Sequence, residues 1–158
     1  MKKILFVKTT IQPPGGGNTV AVWMIEALKK EYSVSILTWT PPDFKEINRF
    51  YGTSLDSSEL TINHINPILR RLIELDPDPG SIQKTCYLMR VCKKIGKQYD
   101  VIVSADNEMD FGCRGIQYFH YPYLYGKIQP DIDLPRHRKF WEILKGNYRP
   151  WMMLSGFS

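Results

Sequence analysis

The run Pro13-Pro14-Gly15-Gly16-Gly17 constrains the fold more than any other part of the chain. Two prolines and three glycines cannot continue a helix or sit in a central strand. Proline lacks the N–H that either structure needs, and glycine costs conformational entropy in both. The run is therefore a loop, and its flanks say which kind. "KKILFVKTT" before it is a short apolar run of the type that forms a buried strand. "NTVAVWMIEALKK" after it has apolar residues at 20, 23, 24, 27 and 28, a helical spacing. Asn18 is the expected N-cap of that helix, and its expected end is near Lys30 and Glu31. A glycine-rich loop between a strand and a helix brings backbone N–H groups of the first turn close to an anion. The same glycines also suit a tight turn that needs only positive φ, and both readings stand at this point. On the ligand reading, Gly16 is where backbone meets ligand.

The rest of the chain repeats the strand–helix alternation. "SVSILTW", 33 to 39, alternates and is rich in Val, Ile and Thr, so it predicts a second strand ending at "TPPDF". Residues 43 to 58 are polar and carry no assigned element. "LTINHI" predicts a short outer strand or none. "NPILRRLIEL" predicts a helix capped by Asn66, with Pro67 in its first position and Ile65, Ile68, Leu69, Leu72 and Ile73 on one face. "DPDPGS" ends it, and a second helix is expected from about Ile82 to Lys97 with Leu88, Val91, Cys92 and Ile95 in register. "YDVIVSA" and "GIQYFHYP" predict two more strands, at Val101–Ser104 and Gln117–His120. "PRHRKFWEILKGNY" and "PWMMLSGFS" have a helical pattern. The expected fold class is α/β, a Rossmann-like doubly wound parallel sheet with strand order 3-2-1-4-5. Ligands in such sheets bind outside the carboxyl ends of the strands. Here those ends are 9–18, 39–43, 104–112 and 120–123, all rich in Gly, Pro, Asp, Asn, His or Tyr.

Composition narrows the functional classes. A length of 158 residues suits one domain, and 43% apolar residues suffice for a core. No apolar run approaches the roughly 20 residues that span a bilayer. Lys8 ends the apolar run of "MKKILFV" too soon for a secretory signal core, so the expected location is cytoplasmic. Cys86, Cys92 and Cys113 have neither the number nor the spacing of a disulfide framework or zinc site. Cys92 falls on a helical apolar stripe, where a thiol acts as a small hydrophobe. The net charge of +5 permits anionic partners without choosing among them, and no nucleic-acid motif is present.

Three constellations could carry chemistry. The glycine loop satisfies neither strict phosphate motif, because Val20 stands where the third glycine of GxGxxG belongs and GxxxxGK[ST] is absent. The looser reading is that N–H groups of Gly15, Gly16, Gly17 and Asn18 face a phosphate. "SADNEMDFG" places Asp106, Asn107, Glu108 and Asp110 after a buried strand, either as a solvated rim or as a polar wall that contacts sugar hydroxyls. "QYFHYPYLYG" places His120 at a strand end among Tyr118, Tyr121, Tyr123 and Tyr125, which present both rings and hydroxyls. A lone histidine is as readily a satisfied core residue. Trp23 and Trp141 lie on helical stripes and are expected in the core. No serine or cysteine is set up as a nucleophile.

"ILFVKTTIQPPGGGNTVAVWMIEALKK" resembles the start of the glycosyltransferase family 4 (group 1) enzymes. "YDVIVSADNEMDFGCRGIQYFHYP" resembles a later block of the same N-terminal half, in a subgroup with "NEMDFG" and "QYxHYP" patterns. "LSGFS" resembles the approach to the end of that first domain, while residues 41 to 80 carry little likeness. The resemblance implies one half of a GT-B fold, two Rossmann-like domains facing across a cleft, with residues 1–158 as the acceptor-side domain. It implies a retaining glycosyltransferase that moves a sugar from a nucleotide-sugar donor to a carbohydrate or lipid-linked acceptor, of the kind used in polysaccharide biosynthesis. By position it gives Gly15, Gly16, Gly17 and Asn18 as the ligand or phosphate loop, and His120 as the catalytic histidine beside the transferred sugar. Asn107, Glu108, Asp110 and Tyr121 are the expected sugar or acceptor contacts. It implies no catalytic metal and no cofactor beyond the nucleotide-sugar co-substrate, with peripheral membrane contact open and no nucleic-acid partner. The donor domain, with its paired glutamates, has no counterpart in these residues. The expectation is a truncated first domain that is inactive alone. The alternative is a non-catalytic nucleotide- or phosphosugar-binding domain.

Overall fold

The computed structural model describes residues 1–74, 81–106 and 108–120. Asn107, Tyr121, Trp141, most of "DPDPGS" and both helical segments expected from Pro135 onward lie outside them. The described residues form β1 (Lys3–Val7), α1 (Gly16–Leu28), β2 (Ser33–Thr38), α2 (Phe44–Tyr51), β3 (Thr61–His64), α3 (Pro67–Glu74), α4 (Ser81–Ile95), β4 (Val101–Ser104) and β5 (Gly115–Gln117). The strands make a sheet in the order β3-β2-β1-β4-β5, and every neighbouring pair is parallel. That is the order the sequence predicts, with "LTINHI" as a short outer strand.

β1 is the centre of the sheet, and its composition follows from that position. Leu5 pairs with Ser35 on one side and Ile102 on the other, and Ile4 through Val7 are all buried. A strand covered on both faces reads as a continuous apolar run rather than an alternation. Its side chains still alternate between two cores. Ile4 and Phe6 join Val34, Ile36 and Val103 beneath Ala21, Val22 and Ile25 of α1 and Ile47 and Tyr51 of α2. Leu5 and Val7 join Leu37 and Ile102 beneath Leu88, Met89 and Cys92 of α4. Helices on both faces make the sheet doubly wound. Cys92 is a buried hydrophobe, as its place on the stripe predicts, and burial pushes its thiol up to about 12.

Several local expectations need correction. Asn18 is not the N-cap of α1. Gly15 is, and Asn18 lies inside the helix with its Nδ2 donating to the Gln12 carbonyl at 2.6 Å. Asn18 therefore ties the loop to the helix instead of covering the helix end. α1 also stops at Leu28. Trp23 is not in the core but 50% exposed. Val20 to Ile25 are all apolar, so periodicity there selects no unique face, and the sheet takes the row of Ala21, Val22 and Ile25. The expected single face of α3 splits, with Leu69 and Ile73 against the core while Ile68 and Leu72 are 72% and 60% exposed. β5 begins and ends earlier than 117–120. Its first residue must be small, because a Cβ on Gly115 would lie 2.6 Å from the Phe111 ring and 2.8 Å from the Ile102 carbonyl oxygen.

Residues 43 to 58, unassigned from sequence, contain α2. Asp43 caps it, with Oδ1 accepting from the N–H groups of Lys45 and Glu46 at 3.0 and 3.1 Å, and Gly52 ends it at φ 70°. The loop after α2 is fastened to α1 by a buried carboxylate. Glu26 accepts from the Ser54 N–H at 3.1 Å and the Ser54 hydroxyl at 2.9 Å, and lies 3.3 Å from Lys29 Nζ. No described helix is long and apolar enough to cross a membrane.

Glu26 generates a prediction about acid stability. Burial alone raises its carboxyl pKa, but the Ser54 hydrogen bonds and the Lys29 ammonium outweigh that and hold it below the usual 4.5. A depressed carboxyl stabilises the fold above its unfolded pKa and stops doing so as pH falls through its folded value. Glu26→Gln keeps an acceptor for Ser54 and loses the charge, so it should destabilise by about 1 kcal/mol at neutral pH. Melting curves of both proteins should converge as pH drops below 4.5. A gap that stays constant across that range would remove the charge from the account.

Candidate functional site

The strand order reverses between β1 and β4. From β1 the chain winds outward through β2 to β3, and from β4 it winds the other way to β5. The loops that leave the carboxyl ends of β1 and β4 therefore diverge and leave a crevice between them, the usual ligand position in such sheets. In this chain those loops carry the glycine run and the 105–112 segment.

The first limb of the site is the loop from Thr9 to Gly17. Ile11 anchors it in the core, and the Pro13–Pro14 bond is cis. Gly15 has φ 156°, and a Cβ there would meet Asn18 Nδ2 at 3.3 Å. Its carbonyl accepts from the N–H groups of Asn18 and Thr19 at 3.1 and 2.9 Å, which begins the helix. Gly15 offers no side chain to cap the helix start, and among the described residues no other does. The N–H groups of Gly16 and Gly17 thus occupy the positive end of α1 without a side-chain acceptor.

The second limb is the segment after β5. Tyr118 continues the ladder by donating its N–H to the Ser104 carbonyl at 2.8 Å. His120 lies in a bend beyond the strand rather than at its end, with its ring edge-on to Tyr118 at 4.9 Å. The two limbs meet. A Cβ on Gly17 would stand 3.1 Å from both Cδ2 and Nε2 of His120. A Cβ on Gly16 would meet nothing within 4 Å. The tight approach within the protein is therefore at Gly17, against His120, while Gly16, expected to meet a ligand, has open space beside it.

The acidic segment divides. Asp110 is committed to the opposite face of the sheet, where its carboxylate meets Lys93 of α4 at 2.9 Å and accepts from the Gly112 N–H at 2.8 Å. The Lys93 hydrogen bond, against some opposition from burial, holds its pKa below the usual carboxylate range. Met109 and Phe111 on either side are buried. The Gln117 side chain clamps Met109 through both backbone groups, at 3.0 and 2.5 Å. Glu108 is half-buried. The structure thus brings Gly17 and His120 together and turns Asp110 away from them.

Asp106, named from sequence as part of an acidic rim or wall, and Lys8, which sequence reasoning left out of the site, come together just past the ends of β4 and β1. Lys8 is only 6% exposed, and its Nζ donates to the Ala105 carbonyl at 2.9 Å and lies 3.6 Å from Asp106 Oδ1. Asp106 Oδ2 accepts from the Thr9 N–H at 2.7 Å and from the Thr9 hydroxyl. Removing one partner of such a buried pair costs about 3–5 kcal/mol. The sequence carries these residues but not the register: Val7 pairs with Ser104, which brings Thr9 alongside Asp106 just past the paired strand ends.

A separate cavity of about 330 Å³ lies between β3 and α4, lined by Asn63, His64, Tyr87 and Val91 among others, away from the glycine loop. Among the described residues no group of three or more His, Cys, Asp or Glu could hold a metal. The chemistry available in the crevice is thus anion binding by a helix terminus, with an exposed imidazole beside it.

The contrast between the two glycines is measurable. Gly16→Ala should stabilise the protein by about 0.5–1 kcal/mol, since alanine suits a helix better and has open space. Gly17→Ala should gain less, because the His120 ring must shift to admit the methyl group. The His120 ring proton resonances should therefore move in Gly17→Ala and stay in place in Gly16→Ala. Identical spectra for both variants would disprove the contact.

Comparison with known proteins returns no matching family model, no matching curated protein and no matching solved structure.

Proposed function

We propose that this chain is the acceptor-side domain of a retaining glycosyltransferase that uses a nucleotide-sugar donor. The observation that carries the reading is the approach of Gly17 to His120 at the carboxyl edge of the sheet. An uncapped helix N-terminus attracts a phosphate by about 0.3–1 kcal/mol at an exposed site, and more when partly buried. An imidazole at van der Waals distance from that terminus would lie beside whatever group the phosphate carries. In a nucleotide-sugar that group is the sugar about to be transferred. The resemblance of "PPGGGNTV" and "QYFHYP" to group 1 glycosyltransferases names the same two segments, and the fold supports the reading by bringing them into contact.

On this reading His120 and the glycine loop make one wall of the reaction site. Glycosyl transfer needs donor and acceptor held in one oriented complex, and much of the rate comes from that positioning. One wall supplies few contacts against the several kcal/mol that immobilising a ligand costs. Residues 1–158 alone should therefore bind nucleotide diphosphates only in the millimolar range and release no nucleotide from a panel of nucleotide-sugars. Joined to a donor-binding α/β domain, they should turn over in the presence of acceptor. His120→Ala should then lower turnover while leaving the melting temperature in place. Binding without turnover in the joined protein would favour a non-catalytic phosphosugar-binding domain. Robust turnover by the 158 residues alone would overturn the division between the two domains.

A further inference from the structure

We propose that Asp106 is the positioning residue of this site, holding the glycine limb and the His120 limb at their contact distance. Both limbs hang from Ser104, the last residue of β4, and from Asp106 two places beyond it. The Ser104 carbonyl takes the Tyr118 N–H at 2.8 Å and so fixes the strand end from which His120 follows. Two residues on, the Asp106 carboxylate takes the Thr9 N–H and hydroxyl and so fixes the start of the glycine limb. The spacing between these two attachments is itself set, because the Asp106 N–H donates to the Ser104 hydroxyl at 3.2 Å.

The paired register of β1 and β4 ends at Val7 and Ser104. Beyond it the two backbones separate, and the Asp106 side chain serves as acceptor where the neighbouring strand's carbonyl no longer can. On its other side β1 stays in the ladder, with Lys8 donating to Leu37 and Trp39 donating to Thr9, each at 3.1 Å. The glycine limb is thus tethered to β2 through backbone and to β4 through the side chains of Asp106 and Lys8. Lys8 holds the carboxylate in place, with its Nζ shared between Asp106 and the Ala105 carbonyl. From Thr9 the path to Gly17 is short and anchored, by Ile11 in the core and by Asn18 on the Gln12 carbonyl. A shift of Thr9 is therefore passed on to the helix start that faces His120.

The bearing of this role on catalysis rests on the reading proposed above, but its test does not. A nuclear Overhauser cross-peak between Gly17 Hα and His120 Hδ2 reports the contact in the ligand-free 158-residue chain, whereas nucleotide release tests the reading, so either can fail alone. The cross-peak should be present in the wild type and lost in Asp106→Ala. It should survive in Asp106→Asn, which keeps an acceptor oxygen for Thr9. Leu88→Ala, a core substitution on the α4 face, should keep it despite a lowered melting temperature. Should Asp106→Ala leave Lys8 too exposed to an unpaired burial to fold, Lys8→Met with Asp106→Ala removes that charge and should lose the cross-peak as well. A cross-peak that persists without the Asp106 side chain overturns the proposal. So does its absence from the wild type, its loss in Asp106→Asn, or its loss in Leu88→Ala.

Discussion

The structure depends on the burial of β1 from all four sides. Strands β2 and β4 take its two edges, and helices cover its two faces. Four consecutive apolar residues, Ile4 to Val7, meet that demand. Burying side chains of this size stabilises by roughly 1.5–3 kcal/mol each. The apolar run ends abruptly at Lys8, where the pairing with β4 stops while that with β2 continues. An ammonium with so little exposure is tolerable only with a partner, and β4 supplies one at the matching place. The central strand therefore sets both the core and the one buried ion pair at the crevice.

The same geometry explains why chemistry gathers where it does. At the point where strand order reverses, no crossover helix closes the gap between the loops after β1 and β4. The backbone N–H groups of Gly16 and Gly17 begin the helix that follows β1, with no capping side chain among the described residues. The approach of His120 leaves residue 17 little space beyond a hydrogen unless the ring shifts, while residue 16 has room to spare. Of three consecutive glycines, Gly15 allows the turn, Gly17 allows the contact, and Gly16 meets no steric limit.

Much of the fold was legible in the sequence because the strands are buried on both faces. Continuous apolar runs placed β1 and β4, an alternating Val-, Ile- and Thr-rich run placed β2, and the alternation with helices pointed to the strand order. Legibility failed where one residue serves two demands. Trp23 belongs to a stretch apolar on every side, so the pattern could not say which row meets the sheet. β5 was placed too late because "YFHY" looks like the strand, whereas the backbone approach to Ile102 that starts the strand needs Gly115. α2 was missed among polar residues although Asp43 with Glu46 three places on, then Gly52, marks both its ends. At the site, the glycine loop and His120 were legible as segments, but not which glycine meets the histidine. That depends on how α1 is rotated, which only packing decides.

In the acidic run, residue type alone does not say which partner each carboxylate takes within the protein. Asp106, Asn107, Glu108 and Asp110 invite a reading as a polar wall for a substrate. Yet a carboxylate in such a loop pairs with a cation within reach when one is available. Lys93 on α4 reaches Asp110, and Lys8 under the crevice reaches Asp106. The intervening Met109 and the following Phe111 are buried in the core on the α4 side, which draws Asp110 toward the same face. The apolar residues in "NEMDFG" thus decide which way its acids point. Asp106 stays at the crevice because it precedes that wedge, and there it serves the backbone of Thr9. Where a loop interleaves acids with large apolar residues, the apolar ones have to be placed first, since burial fixes the chain and the charges then take the partners left within reach.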